Sequence, residues 1–151
     1  MALVDDINLF SQLPLFQGMG DDQLRLIAFG ADRRHLAAGQ TLFRERSPAE
    51  CAYVVASGRF ELTTLDARGA SRVEAVVEAG TLLSELALVT LVERKYTAVA
   101  LEDSTVIRIT RALFHRLIEE YPDAARLIES RVRDNFNAMV LQATAMLHRF
   151  S

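Results

Sequence analysis

The sequence predicts an α+β fold: an antiparallel β-roll of the jelly-roll barrel type, with N-terminal helices, a short helix within it and a long C-terminal helix. Three observations predict it. Apolar residues recur at helical spacing at both ends of the chain. Between about residues 31 and 109 the texture changes to short alternating runs punctuated by Gly, Pro and Ser, the pattern of many short strands. No repeat, low-complexity tract or linker interrupts the 151 residues, so one domain spanning 1–151 is expected.

Taken in order, Asp5 to Leu13 reads as a short amphipathic helix stopped by Pro14. After the Gly18-Met19-Gly20 turn, Asp21 and Asp22 open a second helix, where the dipole favours acids, and Gly30 closes it. The expected strands are Arg33–Ala37, Thr41–Arg44, Ala52–Ala56, Arg59–Leu65 and Arg72–Ala79, with Ser57-Gly58 as the tightest connection. Leu83 to Val92 reads as a two-turn helix. Thr97–Leu101 and Thr105–Ile109 then complete the roll. Helices over 110–150 end the chain: Thr110 caps Arg111–Glu120, and Pro122 starts a helix that can run to Phe150 without Gly or Pro inside it.

Composition narrows the function. With a net charge of −3 and 50% hydrophobic residues, the chain is an ordinary globular one with no broad attraction for nucleic acid or anionic lipid. The single cysteine, Cys51, excludes an internal disulfide and cannot by itself build a zinc or iron–sulfur site. It opens a core strand and reads as a small hydrophobe, and a reducing, cytoplasmic setting is expected. The N-terminus has no signal-peptide pattern, and no apolar run is long enough to span a membrane. His35, His115 and His148 are scattered, and no nucleophile–base arrangement or catalytic carboxylate pair stands out, so the chain is not expected to be an enzyme.

The stretch that concentrates chemistry is Gly80 to Ala100. Glu85 stands near the start of its short apolar piece and Arg94 just beyond the end, so the two bracket a space suited to a small anion bearing hydroxyls. For an isolated Glu and Arg at this spacing, a solvated surface salt bridge is the favoured reading.

The wider pattern weighs against that bland reading. Pro14-Leu15-Phe16 before Gly18, the Ala38–Phe43 turn, Tyr53–Gly58, and Leu101-Glu102-Asp103-Ser104 recur around this stretch. Within it stand Ser84-Glu85-Leu86-Ala87 and Arg94-Lys95-Tyr96-Thr97. Together these segments resemble the cyclic-nucleotide-binding domain, the family of the catabolite activator protein and of cyclic-nucleotide-dependent kinase regulatory subunits. Its phosphate-binding cassette has the pattern Gly-Glu-Leu-Ala, a short spacer, then Arg-x-Ala-Thr.

The resemblance implies a regulatory sensor that binds cyclic AMP or cyclic GMP and signals through its terminal helices, with no cofactor and no metal. Arg94 would hold the phosphate, a task for which its paired donors suit it better than lysine. Glu85, an acceptor only, would hold the ribose 2′-hydroxyl. Main-chain groups around Ser84 and Lys95 would help, Leu86 and Thr97 flank them, and N–H groups at the start of the cassette helix suit the phosphate. Lys95 after the arginine, where a hydroxyl favours cyclic GMP, leans toward cyclic AMP. Tyr96, Asn135, Met139 and Val140, with Gln142 nearby, are the candidate base contacts.

Two departures stand out. Ser84 replaces a glycine, which costs on the order of 1 kcal/mol if φ is positive there. Tyr96 replaces a small alanine; strand parity points its ring away from the pocket, whereas an inward ring would fill the pocket or cap a base. The alternative reading is a degenerate member serving as a dimerisation or protein-interaction module.

On the last helix, Val132, Phe136, Met139, Ala143, Met146 and Phe150 are spaced by alternating fours and threes. From Phe136 onward they form a seam suited to a homodimer. With no helix-turn-helix after this seam and no basic patch, direct DNA binding is not expected. A stand-alone sensor acting through an unidentified protein partner is.

Overall fold

The computed structural model describes residues 2–150, with side chains described over 3–141. Four α-helices bracket ten strands: α1 (Ala2–Ser11) and α2 (Asp21–Gly30) come first, and α3 (Arg111–Glu120) and α4 (Pro122–Phe150) last. The strands are β1 (Asp32–Leu36), β2 (Thr41–Phe43), β3 (Pro48–Ala49), β4 (Cys51–Ser57), β5 (Arg59–Leu65), β6 (Ser71–Glu78), β7 (Leu82–Leu83), β8 (Val92–Glu93), β9 (Thr97–Ala100) and β10 (Ser104–Thr110). They form two four-stranded antiparallel sheets, ordered β1-β10-β4-β7 and β2-β9-β5-β6, and a small β3-β8 pair. This is the expected jelly-roll with a long terminal helix.

The sequence explains the two cores. β4 reads Cys-Ala-Tyr-Val-Val, a continuous apolar run, because both of its faces are covered. Ala52 and Val54, with Ile107 and Ile109 of β10, face a helical layer that includes Phe10, Phe16, Leu24, Ile27, Leu117 and Ile128. Cys51, Tyr53 and Val55, with Val106, face the second sheet, where Phe60, Leu62, Ala98 and Ala100 meet them. Each large side chain buried in this way contributes about 1.5–3 kcal/mol of transfer free energy. Phe10 and Phe16 meet edge to face, with centroids 6.0 Å apart, and so lock α1 to the turn that follows it. Asp6 of α1 also pairs with Arg33 of β1, although burial raises its carboxyl pKa more than the arginine lowers it.

Three local expectations need correction. The first helix starts at Ala2 and ends at Ser11 rather than running from Asp5 to Leu13, and Pro14–Phe16 forms its own 3-10 turn with Leu15 and Phe16 buried. Pro48-Ala49, which lies outside every expected strand, pairs with Val92-Glu93 and ties the cassette to the β2–β4 connection. The cassette helix, expected over Leu83–Val92, is a single 3-10 turn, Glu85–Leu88: Leu82-Leu83 before it pair with Val54 and Tyr53 of β4, and Val92 after it pairs with Ala49.

One glycine carries the roll's corner. β4 and β5 lie in different sheets, and Gly58 alone joins them, with φ +88°. A Cβ there would sit 2.0 Å from Ser104 Oγ and 2.7 Å from Ser104 Cα. Ser104 is fully buried and its hydroxyl donates to the Glu102 carbonyl at 2.8 Å, so it cannot move aside freely. Gly58→Ala should therefore cost about 2 kcal/mol or more in chemical denaturation. A loss under about 0.5 kcal/mol would show that this corner is not constrained.

Candidate functional site

Arg94 lies between β8 and β9, and its backbone is fixed on both sides. Its N–H donates to the Ser47 carbonyl at 2.8 Å, and its own carbonyl accepts from Arg46 N–H at 2.7 Å. This places the side chain inward, where the residue is 5% exposed. The guanidinium carbon lies 4.6 Å from the centroid of the Phe43 ring and 5.2 Å from that of Tyr53, and these rings stack on each other at 5.9 Å. Nη1 donates to the Cys51 carbonyl at 2.9 Å and Nη2 to Cys51 Sγ at 3.3 Å. Among the described residues, no carboxylate pairs with it.

These partners offset desolvation without cancelling the charge. Cation–π contacts contribute on the order of 2 kcal/mol when desolvated. Hydrogen bonds to charged groups contribute about 1.5–3 kcal/mol. Every partner is neutral, so a positive charge remains at the site. An anion about 4 Å away would gain about 4 kcal/mol at an effective dielectric of 20.

Glu85 stands apart from Arg94, and the two do not pair, which removes the salt-bridge reading. Its carboxylate is half-buried and accepts from Asn135 Nδ2 of α4 at 3.2 Å. Burial raises its pKa, and the Asn135 bond acts in the opposite direction. The expected base contact Asn135 is thus engaged with the expected ribose anchor. Met139 and Val140 lie further along α4 at 47% and 46% exposure. Gln142, Ala143, Met146, His148 and Phe150 lie outside the residues whose side chains are described.

The remaining cassette residues divide into backbone, packing and solvent roles. Ser84 adopts φ 64° and ψ 42°, the left-handed conformation whose Cβ costs on the order of 1 kcal/mol. Leu86 is half-buried and lines a cleft of about 520 Å³ between the cassette and α4, together with Val89, Val132 and Phe136. Ala87 and Leu88 are buried, as expected for core. Lys95 is exposed and its Nζ lies 5.9 Å from the Tyr96 centroid. Thr97 Oγ1 accepts from Glu45 N–H at 2.9 Å.

Strand parity pointed Tyr96 away from the pocket, but its ring packs against the core between the sheets. The reason is register: Ala98 and Ala100, two and four residues on, are fully buried in that core, and Tyr96 shares their face.

Sequence reasoning missed two features. Phe43, Tyr53 and Cys51 form the setting for Arg94 and come from strands forty or more residues away, with no local signal that they converge. Arg111, read only as a helix start, donates to the carbonyls of Ala87, Ala49 and Thr90 at 2.9, 2.8 and 3.0 Å, clamping the cassette onto α3.

Comparison with known proteins fits this geometry. The model of the cyclic nucleotide-binding domain matches residues 33–121. The chain belongs to the cyclic nucleotide-binding domain family. A cyclic nucleotide-binding-like protein from Brucella abortus is 40% identical, with a TM-score of 0.70 over 76% of this chain and 98% of that one. The cyclic AMP receptor protein of Thermus thermophilus is 30% identical over 80% of this chain and 58% of its own length. The regulatory domain of Toxoplasma gondii PKA, solved with cAMP, has 25% identity and a TM-score of 0.71 over 76% of this chain and 44% of that one. The chain spans between 7% and 58% of the length of the curated relatives compared.

The Glu85 environment gives a pH signature. A folded-state pKa above the unfolded one means that the folded state takes up the proton more readily. Glu85 therefore contributes most below the unfolded pKa, and that contribution is lost as pH rises through the folded value. Unliganded Glu85→Gln should be at least as stable as wild type at pH 7. The difference should shrink as pH falls through the carboxylate range, measured by urea denaturation. A variant markedly less stable at pH 7 contradicts a destabilised Glu85 carboxylate.

Proposed function

We propose that this domain binds a cyclic nucleotide as a regulatory, non-enzymatic sensor. The observation that carries the reading is Arg94, a buried guanidinium with neutral partners and no carboxylate among the described residues. A cyclic phosphate diester supplies one negative charge and two exocyclic oxygens, which match a guanidinium fork. Glu85 accepts from the ribose 2′-hydroxyl in this reading, with Ser84, Leu86, Lys95 and Thr97 shaping the cassette around it. Tyr96, Met139 and Val140 border the purine. Lys95 in place of a hydroxyl residue supports cyclic AMP over cyclic GMP, and so do the relatives whose names carry cyclic AMP.

Signalling then runs through the terminal helices. The Glu85–Asn135 bond joins the cassette to α4, and Arg111 joins it to α3. A ligand that takes over the Glu85 carboxylate competes with Asn135, so occupancy bears directly on the position of α4. The domain, spanning 1–151, would act on an unidentified protein partner in a reducing, cytoplasmic setting.

Tyr96 supports a second reading, a member that keeps the fold as a dimerisation or protein-interaction module. Its ring packs against the core between the sheets, where the family pattern has only a methyl group. Thermal unfolding separates the two. Ligand at one hundred times Kd adds about 2.7 kcal/mol, raising Tm by roughly 5–10 °C for a chain of this size. Millimolar cyclic AMP should give that rise with wild type and not with Arg94→Ala. No shift with cyclic AMP or cyclic GMP favours the module, and a shift that survives Arg94→Ala moves the phosphate elsewhere.

Both readings include a homodimer through α4. Val132 is consumed by the domain's own core, while Phe136, Met139 and Leu141 are 46%, 47% and 69% exposed. Sedimentation at micromolar protein should show a dimer that Phe136→Glu disrupts. A monomeric wild type ends this assignment.

A further inference from the structure

The two sheets end on β1 and β2, consecutive strands joined by the turn over 37–40, and a cleft of about 490 Å³ opens between them. Its lining includes Arg34 and His35 from β1, Gln40 and Thr41 from the turn and the start of β2, and Arg44 just beyond β2; no carboxylate is among the lining residues. The contrast with neighbouring arginines is informative. Arg33 pairs with Asp6, and Arg108 on the adjoining strand pairs with Asp32. Arg34 and Arg44 are exposed and form no ion pair among the described residues. Glu45, next in sequence to Arg44, is turned to the Leu65 N–H.

Gln40 adds an oriented donor. Its Oε1 accepts from the Ala37 N–H at 2.7 Å, which leaves the amide hydrogens for a ligand. In a chain with a net charge of −3, the fold thus gathers two unpaired guanidinium groups, an imidazole and directed neutral donors around one cavity. No run of basic residues marks this site in the sequence, because Arg34 and Arg44 are well separated along the chain and meet only across the β1–β2 turn.

We infer that the β1–β2 cleft is an anion site for a small molecule carrying two adjacent phosphoryl charges, of the pyrophosphate type. Two separate guanidinium forks call for at least two negative charges, and each matches the paired oxygens of a phosphoryl group. A cyclic nucleotide, with a single charge, would satisfy only one of them. The cleft shares no lining residue with Glu85 and Arg94, so this inference stands independently of the cassette.

The test is calorimetric titration of the full chain with sodium pyrophosphate at constant ionic strength, with sodium chloride as control. One-to-one binding is expected. It should weaken by about tenfold or more in Arg34→Gln/Arg44→Gln and be retained in Arg94→Ala. Amide shift mapping of the wild-type protein provides a readout that needs no variant, with the expected shifts over residues 34–44 and not over 84–97. The inference is overturned by the absence of binding up to about 10 mM pyrophosphate. It is equally overturned by affinity indifferent to the double substitution, or by shifts confined to the cassette.

Discussion

The burial of Arg94 is the constraint on which the rest of the site depends. Removing a guanidinium from water costs several kcal/mol, and proteins normally offset this with a carboxylate. Here Phe43, Tyr53 and the Cys51 carbonyl and sulfur do so with neutral groups. The three come from strands that meet only when the roll closes, so the charge can be buried only in the finished fold. An arginine held this way is preorganised for an anion, because its side chain has already lost its freedom.

The cassette is also strapped to the helices. Arg111 bonds three carbonyls around it, and Asn135 reaches the Glu85 carboxylate. Leu86, Val132 and Phe136 line the cleft between the cassette and α4, so packing and hydrogen bonding converge on one joint. The raised pKa of Glu85 belongs to the same geometry: a carboxylate half-withdrawn from water against a single amide donor. Such a group gains from a further donor, as a ribose hydroxyl would be.

Much of this was legible in the residues. The strand-rich middle between helices followed from punctuation by Gly, Pro and Ser, and Thr110 does cap α3 through the Leu113 N–H. The glycine that Ser84 replaces raised the question of a positive φ there, and its φ is 64°. What escaped was set by long-range pairing. Leu83 reads as the start of a helix through Val92, yet Leu82-Leu83 pair with β4 as strand. Parity taken from Lys95 and Thr97 points Tyr96 away from the pocket, whereas Ala98 and Ala100, whose burial fixes the inward face, share its parity. The aromatic setting of Arg94 and the cationic β1–β2 cleft are likewise products of topology, invisible to spacing along the chain.

The central claim is that the Arg94 guanidinium receives the phosphate. It is tested most directly by following the arginine side-chain N–H signals by NMR, with Arg94 assigned through Arg94→Lys, as cyclic AMP is added to saturation. The account predicts that the Arg94 signals move while those of Arg34 and Arg44 stay in place. An Arg94 signal unchanged at saturation, with binding evident elsewhere in the spectrum, would contradict it.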